Sequence, residues 1–138
     1  MKKTKILWIS ATLPIPVTAG NRRHLNYLIT DAQRQGAEID FILYGWEIEA
    51  EKVRPDLEVM FNRYLNIPQP AVKTMSFDDH WGIDDWVSAE FLSKIAEFAT
   101  GYDYDVVFVE YVWLSKVLEI FDTNIVKVID THDIFSER

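Results

Sequence analysis

The amino-acid sequence predicts an α/β protein, a Rossmann-like three-layer α/β/α fold with a mostly parallel sheet. Two observations carry this prediction. Short apolar runs, typical of strands buried on both faces, alternate with segments whose apolar residues have helical spacing. In addition, only two residues separate Gly36, at the end of the first helix, from the strand predicted at 39–44. A helix between two strands, joined to the second strand by such a short connection, favours parallel pairing of those two strands.

The first part of the chain gives the clearest element boundaries. The run 5–10 predicts a buried strand, and the prolines that follow it predict an irregular loop over 11–20. A helix is predicted from Asn21, with Leu25 and Ile29 on its apolar face. Gly36 is placed to end this helix in a left-handed conformation.

The remaining elements follow in the same alternation. The segment 50–62 predicts a helix interrupted near Pro55, and a short strand is expected at 63–67. Asp84 or Asp85 is expected to cap a helix that runs to about residue 100. Gly101 ends that helix, on which Glu90 and Lys94 form an outward pair. The last elements expected are a strand, a brief helix and a strand, at 105–110, 113–121 and 125–129.

Composition limits the class of protein. The chain has 138 residues, 49% of them hydrophobic, which predicts one folded domain over 1–138 rather than a disordered chain. Cysteine is absent, which excludes disulfides, thiolate zinc sites and cysteine nucleophiles. The net charge of -8 disfavours a nucleic-acid partner. No apolar stretch approaches the roughly 18 residues of a membrane span, so we expect a cytoplasmic protein, with the inner face of the membrane as an alternative location.

Candidate site residues lie where predicted strands end, because ligands of open parallel sheets bind outside the carboxyl ends of the strands. The first group closes the loop after the first strand and begins the helix; it consists of Ala19, Gly20, Asn21, Arg22 and Arg23. A glycine lets a ligand approach the backbone, and the helix start and the arginines favour an anion. The alternative is a proline-rich surface loop. The acidic total also disfavours a peripheral membrane contact through Arg22 and Arg23.

Two further groups follow later strands. Glu110 ends the strand at 105–110, where it either binds a sugar hydroxyl or marks the point at which the strand reaches water. Thr131, His132 and Asp133 follow the last strand, where His132 could donate to a ligand oxygen or transfer a proton. Either Asp130 or Asp133 could orient its ring. The alternative is a loop histidine with a capping aspartate.

Several other sites are disfavoured. No G-x-G-x-x-G or Walker motif is present, and Ser10 and Ala11 stand where receiver domains need a pair of acids. The acidic segment that contains Asp78, Asp79 and His80 is better interpreted as a solvated loop than as a metal site. We expect neither a metal ion nor a cofactor. His24, on the polar side of its helix, is expected at the surface.

Three segments, in the same order, resemble the opening half of family 4 glycosyltransferases. Residues 14–23, a proline-containing loop with Ala19, Gly20 and a basic helix start, are similar to the family's first loop. Residues 104–107 match its "YDVV" strand, and residues 130–138 resemble its "DTHD…S.R" segment. Ala19 stands where the family usually has the first of two glycines.

The resemblance implies the N-terminal, acceptor-side half of a GT-B enzyme. Such an enzyme transfers a sugar from a nucleotide-sugar donor to a glycan, lipid or other acceptor, here in surface polysaccharide or glycoconjugate synthesis. By this likeness Gly20 would approach the donor phosphates or the acceptor, and His132 would contact the transferring sugar. The family's C-terminal donor-binding domain is not in this chain, which would therefore be inactive alone. The alternative is a stand-alone flavodoxin-like module that binds a small anion or a protein partner.

Overall fold

Strands and helices alternate along the chain in the computed structural model, which describes residues 2–45, 49–68 and 87–131. The elements in chain order are β1 (Lys5–Ser10), α1 (Gly20–Arg34), β2 (Glu38–Gly45), α2 (Ala50–Met60), β3 (Arg63–Pro68), α3 (Ala89–Ala99), β4 (Val106–Glu110), a 3₁₀ helix (Val112–Ile120) and β5 (Val126–Asp130).

All five of these strands run parallel, in the order β3-β2-β1-β4-β5. The chain moves outward from β1 to β3 and then returns to the other side of β1 as β4. The carboxyl ends of β1 and β4 therefore form the topological switch point, where the loops that leave the two strands diverge and open a crevice.

The sheet has a hydrophobic core on each face because its strands are apolar on both sides. On one face α1 and α2 pack Leu25, Ile29 and Leu57 against Trp8 and Phe41. On the other face, side chains of α3 and the 3₁₀ helix pack against the remaining strand residues; they are Phe91, Ile95, Leu114 and Val117. This arrangement confirms the predicted three-layer α/β/α fold with its parallel sheet.

Most element boundaries agree with the sequence to within one or two residues. The strand at 5–10 is confirmed, and the strands predicted at 39–44, 63–67, 105–110 and 125–129 are each found with small shifts. Gly36 and Gly101 follow α1 and α3 with φ of +96° and +83°, a conformation that side chains disfavour. The outward pair is also present, with Lys94 Nζ 3.2 Å from Glu90 Oε1.

Two local predictions were wrong. The helix at 50–62 is not interrupted, since α2 continues through Pro55. A proline inside a helix costs about 3 kcal/mol, but Leu57 is fully buried just beyond it and stabilises the continuation. Neither Asp84 nor Asp85, which lie outside the described residues, caps α3. That cap is Ser88, whose Oγ accepts a hydrogen bond from the Phe91 N–H at 3.1 Å.

Candidate functional site at the carboxyl edge of the sheet

The loop after β1 holds α1 above the switch point. Its first turn is closed by Ser10, whose Oγ accepts from the Thr12 N–H at 2.9 Å and donates to the Thr12 carbonyl at 2.8 Å. Leu13 is fully buried and anchors the loop in the core. The Asn26 amide then binds the Pro14 carbonyl from α1 at 3.2 Å. The loop is thereby fixed at both ends, and the start of α1 has a defined position.

The N-terminus of α1 has no side-chain cap. Ala19 is the residue before the helix, and its side chain offers no oxygen to the N–H groups of the first turn. Its φ of -140° and ψ of 162° are extended, so alanine fits where the family resemblance led us to look for glycine. Gly20 is exposed, and a Cβ added there would meet no atom within 4 Å. An anion could therefore reach the backbone at this point.

The two predicted arginines have different surroundings. Arg22 is mostly buried, with 12% of its side chain exposed, and its guanidinium lies 3.0 Å from Glu49 Oε2. The same group also lies 3.4 Å from the Pro16 carbonyl. Arg23 is exposed and forms no ion pair within the described part of the chain. Of the two, Arg23 is the arginine available to a ligand.

Asn21 connects α1 to the end of β4. Its Nδ2 lies 3.3 Å from the Thr12 hydroxyl and 3.3 Å from the Tyr111 hydroxyl, and its Oδ1 accepts from the Arg22 N–H at 2.9 Å. A single side chain thus joins the loop after β1 to the loop after β4, across the switch point.

Glu110 is buried rather than hydrated. Only 1% of the residue is exposed, and its Oε1 accepts a hydrogen bond from Trp8 Nε1 at 3.0 Å. The interpretation of Glu110 as the point where β4 reaches water was therefore wrong. Trp8 lies on the adjacent strand and supplies a donor inside the core, which offsets part of the cost of burying a carboxylate. The predicted contact of Glu110 with a sugar hydroxyl stays a prediction.

A histidine–aspartate pair joins α1 to β5. His24 Nε2 lies 2.7 Å from Asp130 Oδ2, with 48% of the histidine side chain and 17% of the aspartate side chain exposed. The sequence interpretation placed His24 at the surface and missed this contact. One signal was present, because Asn21 and His24 are three residues apart and lie on the same face of α1.

Tyr111 has an unusual backbone conformation. Its φ is 71° and its ψ is 141°, and it is the one non-glycine residue with positive φ among those that the structure describes. Its N–H donates to the Asp130 carbonyl at 2.7 Å, and its ring stacks on Trp113 with centroids 5.0 Å apart. Strained residues of this kind persist only where several contacts hold them.

These contacts bring together side chains from three parts of the chain, namely α1, the loop after β4 and the end of β5. We call Asn21, His24, Tyr111 and Asp130 the crevice cluster. Thr131 is exposed and directly follows Asp130. His132 and Asp133 lie outside the described residues, so the structure does not test their predicted roles. Asp130, which was one candidate to orient the His132 ring, contacts His24. The acidic segment that includes Asp78, Asp79 and His80 also lies outside them.

A second polar cluster, at the opposite edge of the sheet, is held by its own internal bonds. Asp40 Oδ2 accepts from the Tyr104 hydroxyl at 2.6 Å and from Arg63 Nε at 3.2 Å. The Arg63 guanidinium also lies between the rings of Phe98 and Tyr102, at 3.8 and 3.4 Å. Burial and the bond to Asp40 raise the pKa of Tyr104 well above its usual value. This amino-edge cluster stabilises the fold and is not our candidate site.

None of the helices in the described residues has the length and apolar character needed to cross a membrane. In the same ranges no three His, Cys, Asp or Glu side chains are grouped so that they could hold a metal ion.

The fold and the crevice together define a Rossmann-like α/β domain with a candidate ligand site at its switch point. No protein-family model matches the chain, and no curated protein matches its sequence.

Proposed function

We propose that this chain is the acceptor-side domain of a family 4 glycosyltransferase of the GT-B fold. The enzyme would transfer a sugar from a nucleotide-sugar donor to a glycan or lipid-linked acceptor. The observation that carries the proposal is the convergence of α1 with the ends of β4 and β5 through Asn21–Tyr111 and His24–Asp130. The resemblance of three sequence segments to that family supports it, and two of them contribute residues to this edge of the sheet, namely Asn21 and Asp130.

The crevice offers different chemistry on its two sides. On the α1 side, the helix N-terminus, where Ala19 supplies no side-chain cap, and the exposed Arg23 favour an anion such as the donor diphosphate. Glycosyl transfer leaves negative charge on the departing diphosphate, so preorganised donors here would lower the barrier. On the β4–β5 side, the hydrogen-bonding groups of Asp130, Tyr111 and Thr131 suit hydroxyl groups.

Gly20 gives a sharp test because its position has space but no structural demand for glycine. Gly20→Ala adds a methyl group that meets no protein atom, so the melting temperature should not fall. If a phosphate contacts the backbone at Gly20, the same methyl group should lower transfer by at least about tenfold, which corresponds to about 1.4 kcal/mol. The assay follows release of nucleoside diphosphate by the full gene product. It uses a panel of nucleotide sugars, with methyl glycosides and lipid extracts as acceptors.

The arginines supply a matched pair of variants. Arg23→Ala should reduce transfer, whereas Arg34→Ala, which removes an exposed arginine from the last turn of the same helix, should not. His132→Ala should abolish transfer and leave the fold intact. Absence of transfer from every nucleotide sugar by a folded gene product would overturn the proposal and favour the binding-module alternative. Unchanged turnover of His132→Ala would remove its catalytic role.

A further inference from the structure

The two edge strands of the sheet, β3 and β5, differ in how they are protected from pairing with a further strand. Among the described residues, β3 pairs only with β2. An edge strand leaves backbone N–H and C=O groups open, and proteins commonly protect it with a charged side chain, above all lysine. β5 carries Lys127, whereas the stretch 64–67 of β3 carries no charge, and Arg63 at its start is bonded to Asp40. β3 is therefore the less protected edge.

Clefts flank β3 on both faces of the sheet. On the α2 side a cleft of about 210 Å³ lies between the strand and the side chains of Glu51, Arg54 and Glu58. On the α3 side a second cleft, of about 390 Å³, is bordered by Lys94 and Glu97. The clefts leave room for another chain beside the strand, and the mixed charges suit a partner surface that also carries both signs.

Two side-chain polar groups of β3 have no hydrogen-bond partner. The Tyr64 hydroxyl and Asn66 Oδ1 are both buried, and neither is bonded within the described part of the chain. An unpaired buried polar group is costly, so each instance needs a physical reason. The two residues are two positions apart, and their side chains lie on the α2 side of the sheet. The hydroxyl can donate and the amide oxygen accepts, so the two groups are complementary to each other.

A second copy of the chain would pair these groups. In an antiparallel β3–β3 pair with a two-fold axis at Leu65, Tyr64 of one copy lies opposite Asn66 of the other. Side chains directly opposite each other have Cβ atoms about 4.5–5.5 Å apart, within the reach of a tyrosine side chain. After the rotamer changes that are common on association, each Tyr64 hydroxyl can donate to Asn66 Oδ1 of the other copy. The symmetry forms this hydrogen bond twice and leaves neither group unpaired.

We propose that two copies of the chain associate through β3 and form a dimer with one continuous sheet. The occupant of this edge is a second copy because the unpaired groups of one strand match those of the same strand turned by the two-fold axis. On the α3 side, where Leu65 packs at the margin of the core, the two Leu65 side chains meet at the axis. The inference is independent of the proposed function, since β2 separates β3 from β1 and the crevice.

Sedimentation velocity of the full chain over a range of concentrations tests the dimer. We expect a reversible equilibrium with a Kd on the order of 100 µM, since one strand pair and its flanks make a small interface. Amide chemical shifts over the same range should change at residues 63–67 and not at 126–130. Tyr64→Phe should raise the Kd by at least about tenfold, because Asn66 Oδ1 of each copy loses its donor. Far below the Kd the same variant should resist urea better than the unmodified chain, because the lone protomer loses an unpaired hydroxyl.

A matched pair of lysine substitutions distinguishes the two edges. Leu65→Lys places two ammonium groups opposite each other at the two-fold axis and should abolish dimerisation. Val126→Lys, at an exposed position of β5, should leave the Kd unchanged. Circular dichroism shows whether both variants fold, and if Leu65→Lys does not, Tyr64→Phe is the deciding variant.

Three results would overturn the proposal. The first is a chain that stays monomeric up to about 1 mM, as it would if an unrelated segment occupied this edge. The second is a dimer that Val126→Lys dissociates, and the third is a Kd that Tyr64→Phe leaves unchanged.

Discussion

The strain at Tyr111 can be measured by comparing two variants that both remove the ring. Tyr111→Ala keeps a Cβ at φ 71°, whereas Tyr111→Gly does not. A side chain in this region costs about 1–3 kcal/mol, and glycine loses about 0.5–1 kcal/mol more than alanine in backbone entropy on folding. The difference predicts that Tyr111→Gly is more stable than Tyr111→Ala by about 0.5–2 kcal/mol. Losses of the stack on Trp113 and of the contact with Asn21 are common to both variants and cancel.

Urea unfolding followed by circular dichroism gives this comparison directly, since the two variants should have the same m-value. The same exchange at Tyr102 is the control, because φ is not positive there. At Tyr102 we expect the opposite order, with alanine more stable than glycine by about 0.5–1 kcal/mol. If Tyr111→Ala proves as stable as Tyr111→Gly, the backbone at Tyr111 is not strained.

Three other changes test the packing. Gly45→Ala should destabilise the protein by about 1–3 kcal/mol in urea unfolding, because its Cβ would lie 2.7 Å from the Ala11 carbonyl oxygen. Tyr64→Phe should raise the free energy of unfolding by about 1 kcal/mol, since it removes a buried hydroxyl that has no hydrogen-bond partner. Burial, with a smaller effect of nearby carboxylates, raises the pKa of Tyr64 to about 12, so stability should fall as pH rises from 10 towards 12. Across that pH range the free energy of unfolding should fall less steeply in Tyr64→Phe than in the unmodified chain, by up to about 1.4 kcal/mol per pH unit. Tyr104→Phe should cost about 1–3 kcal/mol, because Asp40 loses its 2.6 Å hydrogen bond; a stability equal to that of the unmodified chain would contradict this.

The fold was predictable because its signals are local. A buried strand, a helical period and a glycine after a helix each occupy a few neighbouring residues, and the alternation of these elements limits the topology. Gly36 and Gly101 were identified from sequence alone for this reason. The Pro55 prediction failed because the competing effect, the burial of Leu57 against the sheet, depends on tertiary packing that a local rule does not include.

The candidate site was predictable only in part, because its contacts join distant segments. The loop and helix start were found from composition and position. The pair of His24 and Asp130 spans 106 residues, and the bond from Trp8 to Glu110 spans 102. No periodicity within either segment indicates which side chain faces which. The positive φ of Tyr111 has no sequence signal either, since tyrosine itself favours extended structure.

The two adjacent arginines show what the structure adds to a net charge of -8. Sequence treats Arg22 and Arg23 alike, but consecutive helical residues point about 100° apart, and Glu49 neutralises only Arg22. Of the two, Arg23 is therefore the exposed arginine near the start of α1. If the donor phosphates of the proposed enzyme bind at this helix N-terminus, Arg23 would attract them there. Reversing the charge in Arg23→Glu should for that reason raise KM for the nucleotide sugar more than KM for a methyl glycoside acceptor, and an equal rise in both would contradict a donor site at Arg23.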